Sequence, residues 1–123
     1  MGQGGAIYCT NQLTLTGCTL EANVAQGGAA SPDIAGGPGQ GGALWSSGWL
    51  WATNSTWATN RAVGGPAAYP LHQELAAAGS GGAAYFSGGS AILVNLSLAG
   101  NRADGDSGPA LSDINTASHP WSG

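Results

Sequence analysis

Apolar and polar residues alternate along three short stretches of this chain, and each stretch ends on an asparagine. They read Leu13-Thr-Leu-Thr-Gly-Cys-Thr-Leu-Glu-Ala-Asn23, Leu50-Trp-Ala-Thr-Asn-Ser-Thr-Trp-Ala-Thr-Asn60 and Ala91-Ile-Leu-Val-Asn-Leu-Ser-Leu-Ala-Gly-Asn101. Aligned on the asparagine, the columns Leu13/Leu50/Ala91 and Leu15/Ala52/Leu93 are apolar at period two. The alternation breaks at Gly17/Asn54/Asn95 and resumes with Cys18/Ser55/Leu96 and Leu20/Trp57/Leu98. Period two over short runs predicts half-buried strands. Gly and Asn suit the break because both tolerate the left-handed backbone of a sharp corner.

Upstream of each asparagine stands a Gly-Gly-Ala: Gly4-Gly5-Ala6, Gly41-Gly42-Ala43 and Gly81-Gly82-Ala83, at spacings of 19, 19 and 20 residues. One strand after Gly-Gly, one before the turn column and one after it give three strands and three corners per module. That is one turn of a parallel β-helix, in which equivalent strands of successive modules pair. Each column then becomes a ladder of like residues about 4.8 Å apart. Asn23, Asn60 and Asn101 are expected to stack at an inward corner, and the glycines of each pair at another. The modules span 4–23, 41–60 and 81–101, with insertions 24–40 and 61–80 and a tail 102–123. All belong to one domain, read as a segment of a longer solenoid.

This pattern resembles the polymorphic outer membrane protein repeat of bacterial surface autotransporters, whose signature pairs Gly-Gly-Ala-(Ile/Leu/Val) with Phe-x-x-Asn. Gly4-Gly5-Ala6-Ile7 and Gly41-Gly42-Ala43-Leu44 match the first half, while Ala84 departs from it in the third copy. The second half appears as Leu20-x-x-Asn23, Trp57-x-x-Asn60 and Leu98-x-x-Asn101, without Phe. The resemblance implies an all-β fold, a right-handed parallel β-helix (solenoid) of about three coils, at a cell surface or secreted. It implies no catalytic residue.

The insertions are rich in Gly, Ala, Ser and Pro, as loops are. One short helix is expected over 69–79, where Pro70 precedes good helix formers and Gly79 ends them. Ser31-Pro32-Asp33-Ile34 is expected to form a single turn.

Charge narrows the function. Two Arg, no Lys and six acids give a net charge of −4, so Arg61 and Arg102 cannot form a basic face for nucleic acid. No apolar run is long enough for a membrane span. The start of the chain lacks the basic and apolar regions of a signal peptide. Cys9 and Cys18 fall on inward positions, either as two buried thiols or as a disulfide across the coil.

Catalytic readings find little support. Gly105-Asp106-Ser107-Gly108-Pro109 is similar to the nucleophile segment of chymotrypsin-like proteases, but it lacks the second Gly and the partner motifs. Asp104-Gly105-Asp106-Ser107 is a fragment of calcium-loop spacing without the later ligands. Glu21 is the one acid in the coil modules, while Asp33, Glu74 and Asp113 scatter over insertions and tail, against a glycosidase pair. No cofactor or metal is expected. Asn54-Ser55-Thr56 and Asn95-Leu96-Ser97 are glycosylation sequons at the turn column.

The column Tyr8/Trp45/Tyr85 is the candidate binding surface. If Ile7 and Leu44 point inward, period two sends these aromatics outward, with Trp51 on a neighbouring face; insertions folded over them would bury them instead. Exposed aromatics mark binding sites, including those that stack sugars. The function read from the sequence is a non-enzymatic structural or adhesive segment. The alternative is a carbohydrate-binding segment, or a fragment of a polysaccharide-active enzyme. Expected partners are neighbouring coils or a second copy end to end, and a glycan or surface protein.

Overall fold

The computed structural model describes residues 1–29, 36–65 and 78–104, with the backbone of 114–116 and 120–121. The first copy holds β1 (Gly2–Gln3), β2 (Ile7–Cys9), β3 (Gln12–Thr16), β4 (Thr19–Glu21) and β5 (Val24–Gln26). The second holds β6 (Gly39–Gln40), β7 (Leu44–Ser46), β8 (Trp49–Ala58) and β9 (Arg61–Val63). The third holds β10 (Gly79–Ser80), β11 (Ala84–Phe86), β12 (Ser90–Ala99) and β13 (Arg102–Asp104), followed by β14 (Ile114–Thr116) and β15 (Pro120–Trp121).

The expected fold class is corrected here. The strands do not form the single three-stranded-per-turn solenoid, a right-handed parallel β-helix, that the repeat suggested. They fall into four separate sheets, ordered β1-β6-β10, β15-β14-β11-β7-β2, β12-β8-β3 with β4 also on β8, and β13-β9-β5. Pairing is parallel throughout except between β14 and β15. Two strand columns were missed: one before Gly-Gly and one after the ladder asparagine. The two strands placed around the turn column are instead single ten-residue strands in β8 and β12, bent at Asn54 and Asn95, whose φ are both 51°. The insertions correspondingly lose their ends to β5, β6, β9 and β10, and the tail loses its start to β13. No helix occurs among the described residues, and the segments expected as a helix and a single turn lie almost wholly outside them.

Register explains the repeat spacing. Asn23 lies 37 residues before Asn60, and Asn60 lies 41 before Asn101. Phe86 pairs with Ser46, yet Ser90 pairs with Trp49. The turn between them carries one residue more in the third copy, where Gly89 adopts φ 73°.

The core runs between the sheets through Leu15, Leu44, Leu50, Ala52, Trp57, Ala83, Ala84 and Phe86. The second copy is the best buried, with Trp57, Leu44 and Leu50 wholly or almost wholly covered. Each such side chain contributes roughly 1.5–3 kcal/mol of transfer free energy. Leu13 and Leu20 below and Leu93, Leu96 and Leu98 above are half-buried.

Two columns, one of asparagine and one of glycine, fix the corners. Asn60 is fully buried, and its Oδ1 accepts from the Asn23 backbone N–H at 3.0 Å and from Asn23 Nδ2 at 2.9 Å. Asn60 Nδ2 donates to the Leu20 carbonyl and to Asn101 Oδ1, both at 2.9 Å. Asn101 Oδ1 also accepts the Asn60 backbone N–H at 3.0 Å, and its Nδ2 donates to the Trp57 carbonyl at 2.8 Å. At the glycine corner, Gly41 takes φ 67°, and a Cβ on Gly42 would run into the Gly82 carbonyl oxygen and the Arg61 amide nitrogen. Gly4 with Gly5 and Gly81 with Gly82 meet the same pair of demands. Only glycine satisfies both without displacing backbone.

Candidate binding face

Period two places Ile7, Leu44 and Ala84 toward the core, so Tyr8, Trp45 and Tyr85 share the other side of the β2-β7-β11 sheet, in register. Tyr8 stacks on Trp45 with ring centroids 4.5 Å apart and planes 7° from parallel. The column is nevertheless not exposed as a whole. Tyr8 is 56% exposed, Trp45 only 7%, and Tyr85 is half-buried. Trp45 is held at its edge, where Nε1–H donates to Gln40 Oε1 at 3.2 Å; the same oxygen accepts from Gln3 Nε2 at 3.0 Å. Trp45 is therefore a packing residue of the middle copy.

The open aromatic surface lies on the β3-β8-β12 sheet instead. Leu50 and Ala52 face the core, which sends Trp49, Trp51 and Thr53 outward from the middle strand. Trp49 is 59% exposed and Trp51 54%. In register beside them stand Gln12, Thr14 and Thr16 on β3, and Ser90, Ile92 and Val94 on β12. Ile92 and Val94 are also exposed. Thr53 Oγ1 donates to Thr16 Oγ1 at the long distance of 3.5 Å. None of these nine side chains carries charge. Of the sequence-stated binding residues, Trp51 lies on this face and Tyr8, Trp45 and Tyr85 do not. Trp49 was missed. Extending the alternation back one residue from Leu50 would have found it.

Charge collects on the β5-β9-β13 sheet. Arg61 Nε donates to Asp104 Oδ2 at 2.7 Å, and Arg102 reaches Asp104 Oδ1 at 2.9 Å. The hydrogen bond from Arg61, joined by that from Arg102, outweighs partial burial and holds the Asp104 carboxyl below its ordinary value.

Cys9 and Cys18 are free thiols, both half-buried, and Cys18 Sγ lies 3.5 Å from the Thr16 carbonyl oxygen. Asn54 and Asn95 are exposed at the turn column, where Asn95 Nδ2 donates to Asn54 Oδ1 at 3.0 Å. No group of three or more His, Cys, Asp or Glu is placed to hold a metal among the described residues. Ser107, Asp106, Asp33, Glu74, Asp113, His72 and His119 lie outside them. No helix among the described residues is long and apolar enough to cross a membrane.

Comparison with protein families, with curated proteins and with solved structures finds no match to this chain.

Proposed function

We propose that this chain is a non-enzymatic structural and adhesive segment of a cell-surface or secreted repeat protein. The observation that carries the reading is how the repeated polar residues are used. Asn23, Asn60 and Asn101 bond to one another and to backbone, so the recurring side chains serve the stack. The side chains that differ between copies, such as Thr14, Trp51 and Ile92 in one register, stand outside and are free to meet a partner. The role and the location are proposed from the resemblance of the Gly-Gly-Ala and x-x-Asn motifs to the polymorphic outer membrane protein repeat, a resemblance that no family model matches. Partners on this reading are neighbouring modules of a longer chain or a second copy, and a surface glycan or protein.

The test immobilises the purified chain and exposes it to matrix proteins, mucin and polysaccharides by biolayer interferometry, while the same materials are assayed for cleavage. Retention without product is expected. Repeated turnover by homogeneous protein would refute the non-enzymatic reading. Carbohydrate binding, alone or beside catalytic groups elsewhere in a longer chain, is the second reading, and the two exposed indoles on β8 favour it.

A further inference from the structure

We propose that the outward face of the β3-β8-β12 sheet is a platform for an uncharged, extended polysaccharide, with Trp49 and Trp51 stacking on its sugar rings. The proposal rests on the carbohydrate reading of the adhesive segment and names its site and ligand class. The two indoles stand on the same side of the middle strand, two residues apart, about 6.6 Å along it. Neither is needed by the core, which Leu50 and Ala52 close from the same strand with almost no exposure. Two large aromatics left more than half exposed side by side mark a surface that gains by being covered.

The neighbours identify what covers it. A pyranose ring offers an apolar C–H face bordered by hydroxyls. Its complement is an aromatic plane bordered by neutral hydrogen-bonding groups. Gln12 and Ser90 flank Trp49 in register. Thr14 lies beside Trp51 on one side with apolar Ile92 on the other, and Thr53 continues the row between Thr16 and Val94, so the hydrogen-bonding border lies along β3 and at Ser90. Gln12, Ser90 and Thr14 stand one strand spacing away, about 4.8 Å, and Thr53 follows Trp51 on β8 itself. With no charge on the face, an acidic glycan or a nucleic acid gains no ion pair there. The bare row runs along the strand, which suits a polymer better than a single sugar. The stacked Tyr8 and Trp45 lie on a different sheet and take no part.

The experiment compares the intact chain with the double variant Trp49→Thr/Trp51→Thr and with Tyr8→Ala. Adsorption to microcrystalline cellulose and to chitin is measured, and tryptophan fluorescence is titrated with cellohexaose; polygalacturonate is the charged control. Thr keeps strand propensity at exposed positions, and circular dichroism with a melting curve verifies that each variant folds. The expected result is adsorption to at least one neutral polymer, weakened roughly tenfold or more in the double variant and unchanged in Tyr8→Ala. Equal adsorption by the double variant, no adsorption to either neutral polymer, or preference for polygalacturonate overturns the proposal. So does dimerisation through Trp49 and Trp51 that cellohexaose leaves unaffected. Soluble sugar released from the bound polymer would instead refute the non-enzymatic reading while leaving the platform in place.

Discussion

Replacing Asn60 by Ala should be the most destabilising single change in the asparagine ladder. The side chain makes four hydrogen bonds, two accepted at Oδ1 and two donated by Nδ2, which saturates an amide's donors and acceptable acceptor sites. At a net of about 1 kcal/mol each, the sum is about 4 kcal/mol. Asn23 and Leu20 sit in the half-exposed first copy, where water replaces part of the loss, so about 3 kcal/mol is expected. Asn23→Ala removes one side-chain bond at a half-exposed position and should cost less than about 1 kcal/mol. Urea unfolding measures both. With a slope of about 2 kcal/mol/M, the midpoint of Asn60→Ala should fall by about 1.5 M, with the slope unchanged. Asn60→Asp adds a signed test. Its second oxygen would face the Leu20 carbonyl and Asn101 Oδ1, both acceptors, so the buried carboxyl is raised above the roughly 3.9 of the unfolded chain. The folded state then binds the extra proton, and the variant must lose stability as pH rises above that value. Equal midpoints for Asn60→Ala and Asn23→Ala, or an Asn60→Asp variant indifferent to pH, would refute the reasoning.

Three further outcomes are expected. Trp57 is fully buried and its Nε1–H finds no acceptor among the described residues; Trp57→Phe should therefore cost under about 1.5 kcal/mol, against about 3–5 for Trp57→Ala, read by chemical denaturation. Thr59 holds φ 53° with a branched Cβ, where the third copy has Gly100 at φ 63°; Thr59→Gly should raise stability by up to about 1 kcal/mol, visible as a higher melting temperature. Asp104 has a lowered folded value, so its contribution is present above the unfolded carboxylate value and disappears as pH falls through the folded one. Melting temperatures of Asp104→Asn and the unaltered chain should differ modestly at pH 7 and converge in acid, with the gap at pH 7 shrinking in high salt.

The glycine and asparagine columns were legible because each answers a demand no other residue meets: a left-handed or Cβ-free corner, and an amide that both donates and accepts. The sheets on either side of them were not. β1, β6 and β10 are two-residue strands reading Gly-Gln, Gly-Gln and Gly-Ser, with no apolar alternation to detect. β5, β9 and β13 each turn a single small residue inward, Ala25, Ala62 and Ala103, and one alanine has no period. Asn54 and Asn95 looked like strand ends, yet the strand hydrogen bonds resume at once beyond them. At the surface, alternation assigned sides correctly but not exposure. Trp45 and Trp51 both point away from the core; among the described residues, the stacking of Tyr8 and the bond to Gln40 set the covered indole apart from the open one.

The asparagine ladder also has an arrow. From Asn23 to Asn60 to Asn101, every amide-to-amide bond donates from Nδ2 of the earlier copy to Oδ1 of the later one. Such a chain of aligned amides is vectorial, each bond polarising the next, and its two ends are chemically unlike: one offers an oxygen, the other an N–H. A neighbour related by a two-fold axis would bring oxygen to oxygen or N–H to N–H. A further amide joining this column would therefore have to offer an oxygen at the Asn101 end or an N–H at the Asn23 end, so the two ends of the ladder select opposite partners.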